Sequence, residues 1–199
     1  MKPDHFWMQT ATGRQFFHEK ATAEDICIED IAHALSHLCR FGGHCRDFYS
    51  VAEHSVRVAE AIEDEGGSRI EVAAGLMHDA AEAYVGDMVW PLKQAMPDFR
   101  AVEERIERAI ADKFGLPHPL PEIVKKFDLV LLATEKRDLM QCVGGGHIAR
   151  ELSEARSRLG RWASDAYEPL PRPIDRTLSP HPARRRFMLA FEHFVAGAR

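Results

Sequence analysis

The stretch Gly75-Leu-Met-His-Asp-Ala-Ala-Glu-Ala-Tyr-Val-Gly-Asp87 most restricts the folds open to this chain. Apolar Leu76 and Met77 carry His78 and Asp79 toward the interior, where an uncompensated imidazole or carboxylate is costly. A metal ion compensates both at once. Glu82 follows four residues after His78 and three after Asp79, so on a helix it shares their side. Two potential ligands and one potential acid/base therefore occupy a common surface, which other elements must enclose.

Those other elements read as helices. Ile31, Ala34, Leu35 and Leu38 recur at helical spacing, predicting a helix from Ile28 to Arg40 that Gly42-Gly43 ends. Ser50 and Glu53 have the spacing of a capping box and start a second helix that stops by Gly66-Gly67. Ser68 and Glu71 repeat that spacing, so a third helix is expected over 69–84, carrying His78, Asp79 and Glu82. After a loop with a short helical turn, Asp98 is expected to cap an amphipathic helix with Phe99, Val102, Ile106, Ile110 and Phe114 in one stripe, closed by Gly115. Three prolines between Leu116 and Pro121 make a rigid connector. A long helix then runs from Glu122 to about Val143, with Asp128 and Glu135 on a common face, and Gly144-Gly145-Gly146 closes it. Residues 147–163 look helical but polar, 164–182 are proline-rich and suited to wrapping the surface, and a last helix spans Ala183 to Ala196.

The expected architecture is all-α: a helical bundle with a short N-terminal hairpin or extended arm, in one domain over 1–199. Residues 1–25 form the arm, 26–143 a metal-binding helical core, and 144–199 the C-terminal helices and surface wrap. The 199-residue length allows a sizeable core, and 45% hydrophobic with 29% charged residues is ordinary for a globular protein. A net charge of −5 gives no global attraction to nucleic acid or anionic membrane. With no apolar run of signal-peptide or membrane-span length, the chain reads as cytoplasmic. Cys27, Cys39, Cys45 and Cys142 lack Cys-x-x-Cys spacing and are expected as reduced thiols.

Three separated helices each offer metal-type residues: His54, the His78-Asp79 pair, and Asp128. Two imidazoles and two carboxylates suit Zn, Mn, Fe, Co or Ni better than a soft thiolate metal. His33 and His37, four apart, mimic a two-histidine metal face but have apolar neighbours and no matching third ligand. Glu135 is a fallback ligand that is expected to pair with Arg137 or another cation. Arg184-Arg185-Arg186 reads as a solvated or paired helix start, and the stripe Phe187, Leu189, Phe191, Phe194 as core or dimer interface.

The set His54, His78-Asp79 and Asp128 in helical context resembles the H…HD…D signature of the HD-domain metal-dependent phosphohydrolases. The resemblance extends from Ile28-Glu-Asp-Ile-Ala-His-Ala-Leu-Ser through Cys39-Arg-Phe-Gly-Gly-His, Tyr49-Ser-Val-Ala-Glu-His-Ser and Leu76-Met-His-Asp-Ala-Ala-Glu to Leu132-Ala-Thr-Glu-Lys-Arg-Asp-Leu-Met. Within that superfamily the chain is most similar to small bacterial and phage hydrolases related to the 5′-deoxyribonucleotidases. That likeness implies one divalent ion (Mn, Co, Zn, Fe, Ni or Mg) held by His54, His78, Asp79 and Asp128, in an all-α and often dimeric protein. It implies removal of the 5′-phosphate from (deoxy)nucleoside monophosphates, with a metal-bound water as nucleophile and Glu82 as acid/base. Arg40 matches a nucleotide-contacting arginine, and its fork suits phosphate. Phe41 stands where those enzymes have Trp, and Gly42-Gly43-His44 has the character of an insertion. His44 can hydrogen-bond phosphate, with Arg46 as an alternative, and Asp87 matches an aspartate near the sugar hydroxyl. The other readings are a deoxynucleoside triphosphate triphosphohydrolase and a non-catalytic nucleotide sensor. Nucleic acid is not an expected partner, although an adaptor for it is a fourth reading.

Overall fold

In the computed structural model, which describes residues 6–140 and 163–198, helix α2 (Val51–Asp64) forms the centre of the bundle. It packs against α1 (Ile28–His37), α3 (Arg69–Met77), α7 (Glu122–Asp138) and α8 (Pro180–Phe194). The core they enclose gathers Ile31, Leu35, Val58, Ile62, Leu76, Leu131 and Phe187. Among the described residues no helix is long and apolar enough to cross a membrane.

The N-terminal segment is the hairpin form of the expected arm. Strands β1 (Met8–Gln9) and β2 (Gln15–Phe16) pair antiparallel, Met8 opposite Phe16. The hairpin is pinned by Asp30, which accepts hydrogen bonds from the Thr12 amide (2.7 Å) and hydroxyl (2.9 Å). Phe16 stacks on Tyr84 at 4.1 Å between ring centroids, so the arm buttresses α4 (Glu82–Val85).

Helix α1 stops earlier than Gly42-Gly43 suggested. Its cap Leu38 is extended, Cys39 bridges Ser50 across an isolated β-pair, and the Arg40 amide donates to the Tyr49 carbonyl at 2.9 Å. A tertiary ladder has taken over the backbone groups that another helical turn needs. The chain then turns through Phe41 (φ 58) and Gly42 (φ 59), left-handed values that are strained for a phenylalanine.

Ser50 caps α2 as expected, its hydroxyl accepting from the Glu53 amide at 3.1 Å. The Glu53 carboxylate does not close a capping box; it takes Arg57 (2.7 Å) and the Leu178 amide (2.8 Å) instead. For α3 the Glu71 carboxylate returns to both the Ser68 amide (2.8 Å) and hydroxyl (2.6 Å).

The single helix expected over 69–84 is divided into α3 and α4. Between them the backbone tightens to three-residue hydrogen bonds, Ala80 to Met77 and Glu82 to Asp79, both 3.0 Å. One cause is the His78 ring, whose Nδ1 sits 2.8 Å from the Gly75 carbonyl and competes for an acceptor the regular helix uses. Gly75 is also a point where α3 closely approaches α2. A Cβ added there falls 2.5 Å from Ile62 Cδ1, 3.5 Å from Val58 Cγ1 and 3.6 Å from the Ala59 Cα. Gly75→Ala displaces chiefly the mobile end of Ile62, whereas Gly75→Val presses on Val58 and the α2 backbone. The valine variant is expected to lose about 1–3 kcal/mol, read from the urea midpoint, with alanine the milder of the two.

Beyond α4, the short α5 (Trp90–Gln94) leads to α6 (Pro97–Phe114). Met96 precedes α6 and Asp98 lies in its first turn, not at its cap, where its charge still favours the positive helix end. Gly115 closes it in left-handed geometry (φ 68). Helix α7 ends at Asp138, short of the expected Val143. Cys142, Gly144-Gly145-Gly146 and all but the last residue of the polar helix expected over 147–163 lie outside the described residues.

The proline-rich tail does wrap the surface. It hydrogen-bonds α7 and α2 through the Leu170 amide to Thr134 (2.8 Å), the Ile174 amide to Asp138 (2.8 Å) and the Leu178 amide to Glu53. In α8, Phe187, Phe191 and Phe194 are buried, but Leu189 is exposed and does not join their stripe. Arg186 is paired with Glu60 at 2.7 Å, so the arginine triplet is not a uniformly unpaired patch. Cys27, Cys39 and Cys45 are free thiols, the last two with sulfurs 3.6 Å apart. His33 and His37 stack on each other, and His37 Nδ1 lies 2.8 Å from the His33 carbonyl, which is packing and hydrogen bonding and not a ligand pair.

Candidate metal centre

Helices α2 and α7 and the end of α3 converge on one cluster. His54, fully buried on α2, places Nε2 3.3 Å from His78 Nε2, 3.2 Å from Asp128 Oδ1 and 3.7 Å from Asp79 Oδ2. His78 Nε2 lies 3.2 Å from Asp79 Oδ2 and 3.9 Å from Asp128 Oδ1. His54, His78 and Asp128 form a group whose ligand atoms lie close enough together to hold a metal ion, and an Asp79 oxygen borders it.

The far side of each imidazole determines what the near side can do. His54 Nδ1 is 2.6 Å from Glu135 Oε1, and His78 Nδ1 is 2.8 Å from the Gly75 carbonyl. Both partners only accept, so each Nδ1 carries a proton and each Nε2 faces inward. Two Nε2 atoms 3.3 Å apart beside carboxylate oxygens call for a positive charge among them, either a proton on a ring or a metal ion. Bonding of Nδ1 to an acceptor is also how metal-binding histidines are held in place.

The charges agree. Asp79, Asp128 and Glu135 bring three negative charges, and Arg40 returns one through Glu135 (3.1 Å) and Asp79 (3.4 Å). With both imidazoles neutral two remain, the charge of a divalent cation. Burial pushes Asp79 up, but the His78 and His54 imidazoles and Arg40 hold it far below the ordinary carboxylate range. Asp128 is likewise held low against burial by its bond to His54 and by His78. Burial and Arg40 push His54 down, and Glu135 and Asp128 outweigh them, raising it to about 9. Positive charge is thus favoured at the middle of the cluster.

Glu135 pairs with a cation as expected, but the cation is Arg40 and not Arg137, which pairs with the adjacent Asp138 at 2.6 Å. With no exposed surface, Glu135 joins Arg40 to His54, a link the sequence did not show. Its place seven residues after Asp128 on the same helix face was the available signal, though it names no partner. Arg40 in turn is a bridge between Glu135 and Asp79, and Phe41 lies against it with the ring 5.4 Å from the guanidinium carbon. His44 and Arg46 are exposed, Arg46 donating to the Asp138 carbonyl.

No family model matches the chain. Over 133 residues it is 44% identical to the uncharacterized protein YfdR of Escherichia coli K12, an alignment spanning 67% of this chain and 72% of YfdR. The chain belongs to the YfdR family. An uncharacterized protein of Rhodobacter capsulatus is 40% identical over 126 residues, covering 60% of this chain and 64% of that relative, a little under two thirds of its length. Neither relative's name carries an activity.

In this YfdR-family chain two further acidic residues, Glu82 and Asp87, follow the ligands and feel the charge of Asp79. Glu82 opens α4, buried, and its Oε2 has no hydrogen-bond partner among the described residues; the same holds for Asp87 Oδ2. Burial first, then the charges of Asp79 and Asp87, pushes Glu82 well above the carboxylate range. Burial also raises Asp87, against Arg40. Buried polar oxygens without partners carry an energetic cost, which a ligand with hydroxyl or protonated groups relieves.

Proposed function

We propose that this chain is an HD-type, metal-dependent phosphohydrolase that removes the 5′-phosphate of (deoxy)nucleoside monophosphates. The observation that carries the reading is the inward convergence of His54, His78, Asp79 and Asp128, followed by a buried Glu82 whose Oε2 has no hydrogen-bond partner among the described residues. The four ligand-type residues would hold one divalent cation. When bound, such a cation supplies Lewis acidity toward a phosphoryl oxygen and acidifies water.

The chain's own residues supply the rest. Glu82, holding its proton to higher pH than an ordinary carboxylate, donates it to the ester oxygen as the bond to phosphorus breaks, so that the nucleoside leaves as an alcohol. Water adds to phosphorus, and its proton restores Glu82. Arg40, with the His44 imidazole, faces the phosphate, and Phe41 and Asp87 contact the sugar, Asp87 accepting from its hydroxyl. A homodimer belongs to the same proposal. A triphosphate substrate is less favoured, because the principal cation at the site, Arg40, is already bound to Glu135 and Asp79.

The test is a panel of nucleoside mono- and triphosphates assayed with each divalent metal. Inorganic phosphate released from monophosphates, lost on chelation and restored by metal, is expected. Release of triphosphate selects the other hydrolase, and nucleotide binding with no turnover under any metal favours a sensor.

Glu82→Gln is expected to lower phosphate release by about 10²–10⁴-fold. It is also expected to stabilise the metal-free fold at alkaline pH. A carboxylate whose folded pKa is raised leaves the folded state holding more protons than the unfolded, so stability falls as pH rises above the unfolded value near 4.3. Glutamine removes that loss. Melting temperatures of the two proteins should coincide near about pH 4 and separate, variant higher, by about pH 8.

A further inference from the structure

The segment after the site brings a second cation to it. Lys93, on α5, places Nζ 2.7 Å from Glu103 Oε1 on α6, with the lysine side chain 23% exposed and the glutamate nearly buried. Its charge acts on Glu82, Asp79 and Asp87 as well as on Glu103. The N-cap of α5, Val89, lies beside the Arg40 turn: a Cβ on Gly42 would sit 3.9 Å from Val89 Cγ1. Lys93 therefore lies on the short helix whose N-cap packs at the turn carrying Arg40, within electrostatic reach of Glu82, Asp79 and Asp87.

A phosphate monoester is a dianion, and the cluster it would approach is rich in carboxylates, among them Asp79, Asp87 and Asp128. Arg40 cannot leave its partners without stranding Glu135, which has no exposed surface. Lys93 is differently placed. Its ammonium sits on a flexible four-carbon stem, it remains open to solvent, and the carboxylate it holds belongs to neither the ligands nor Glu82. Helix α5 has only five residues, and Trp90 and Leu92 on it are exposed, so little packing resists a small shift.

We propose that Lys93 is a phosphate-binding residue of this site, its ammonium exchanging Glu103 for the phosphoryl oxygens of the substrate. The role deepens the phosphohydrolase reading and rests on it for the identity of the substrate. It also gives Glu103 a function, parking the lysine when no anion is present.

Calorimetric titration of the manganese-loaded protein with inorganic phosphate tests the inference apart from catalysis. Lys93→Met should weaken phosphate binding about tenfold, Lys93→Arg should keep it within about threefold of wild type, and Glu103→Gln, which frees the lysine, should bind phosphate at least as tightly as wild type. In the hydrolysis assay Lys93→Met should raise KM about tenfold and change kcat far less. A lysine that only ties α5 to α6 predicts a different pattern: Lys93→Met and Glu103→Gln both lower the melting temperature, and neither changes phosphate affinity. That pattern, or a wild-type protein that binds no phosphate, overturns the assignment. Phosphate binding that depends on Lys93 without nucleotide hydrolysis would leave the assignment standing and reject the nucleotidase reading.

Discussion

Asp128→Ala is expected to weaken divalent-cation binding at least about 100-fold and to abolish phosphate release, while the protein stays folded. The magnitude exceeds the 10–100-fold typically lost when only a partner of a metal ligand is removed. Asp128 is the cleanest of the four positions for this test. Its side chain is 38% exposed, so truncation opens no core cavity. His54 by contrast is fully buried and bonded to Glu135; replacing it mixes lost ligation with a cavity and an unpaired carboxylate. Metal content after dialysis, with a calorimetric titration of manganese, provides the measurement, and the melting temperature of the metal-free variant provides the folding control. An Asp128→Ala protein that retains one equivalent of cation at wild-type affinity would sink the metal centre.

Glu135→Ala is expected to cost about 3–5 kcal/mol of stability, the range for removing one member of a buried ion pair. Arg40 loses its closer carboxylate and keeps Asp79 at 3.4 Å, while His54 loses the acceptor that fixes its Nδ1 proton. Glu135→Gln isolates the two effects. An amide fills the volume and can still accept a hydrogen bond, so its stability loss should be smaller, but it does not balance the guanidinium. Urea unfolding read by helical signal measures the first effect, and manganese affinity of the glutamine variant, expected to fall about 10–100-fold, measures the second. A loss under about 1 kcal/mol for the alanine variant would mean that Arg40 finds other compensation and that the bridge is incidental.

These two residues show how far local pattern reaches. Asp128 was legible as a metal-type residue on a third helix, and its place in the H…HD…D pattern implied a ligand role. Glu135 read as the partner of Arg137 or another cation, with ligation as the fallback, and nothing local singled out Arg40, 95 residues away. Side chains two apart on a helix diverge, so Arg137 does not meet Glu135, and at the end of the helix it pairs with Asp138. Lys93 gave no local sign at all, because its partners on α6 and after α3 are set by folding.

The amino-acid sequence by itself determined the helices with strong apolar periodicity, the capped starts of α2 and α3, and the chemical types at the site. Short-range spacing and the cost of burying polar groups act along the chain and can be read there. Tertiary structure alone decided that α1 yields to a bridge with Ser50 and that α3 tightens at His78. It also decided that the two Nε2 atoms face each other and that Glu135 joins Arg40 to His54. Those outcomes depend on which backbone acceptor or distant charge reaches a group first, and that competition is settled only when the helices pack.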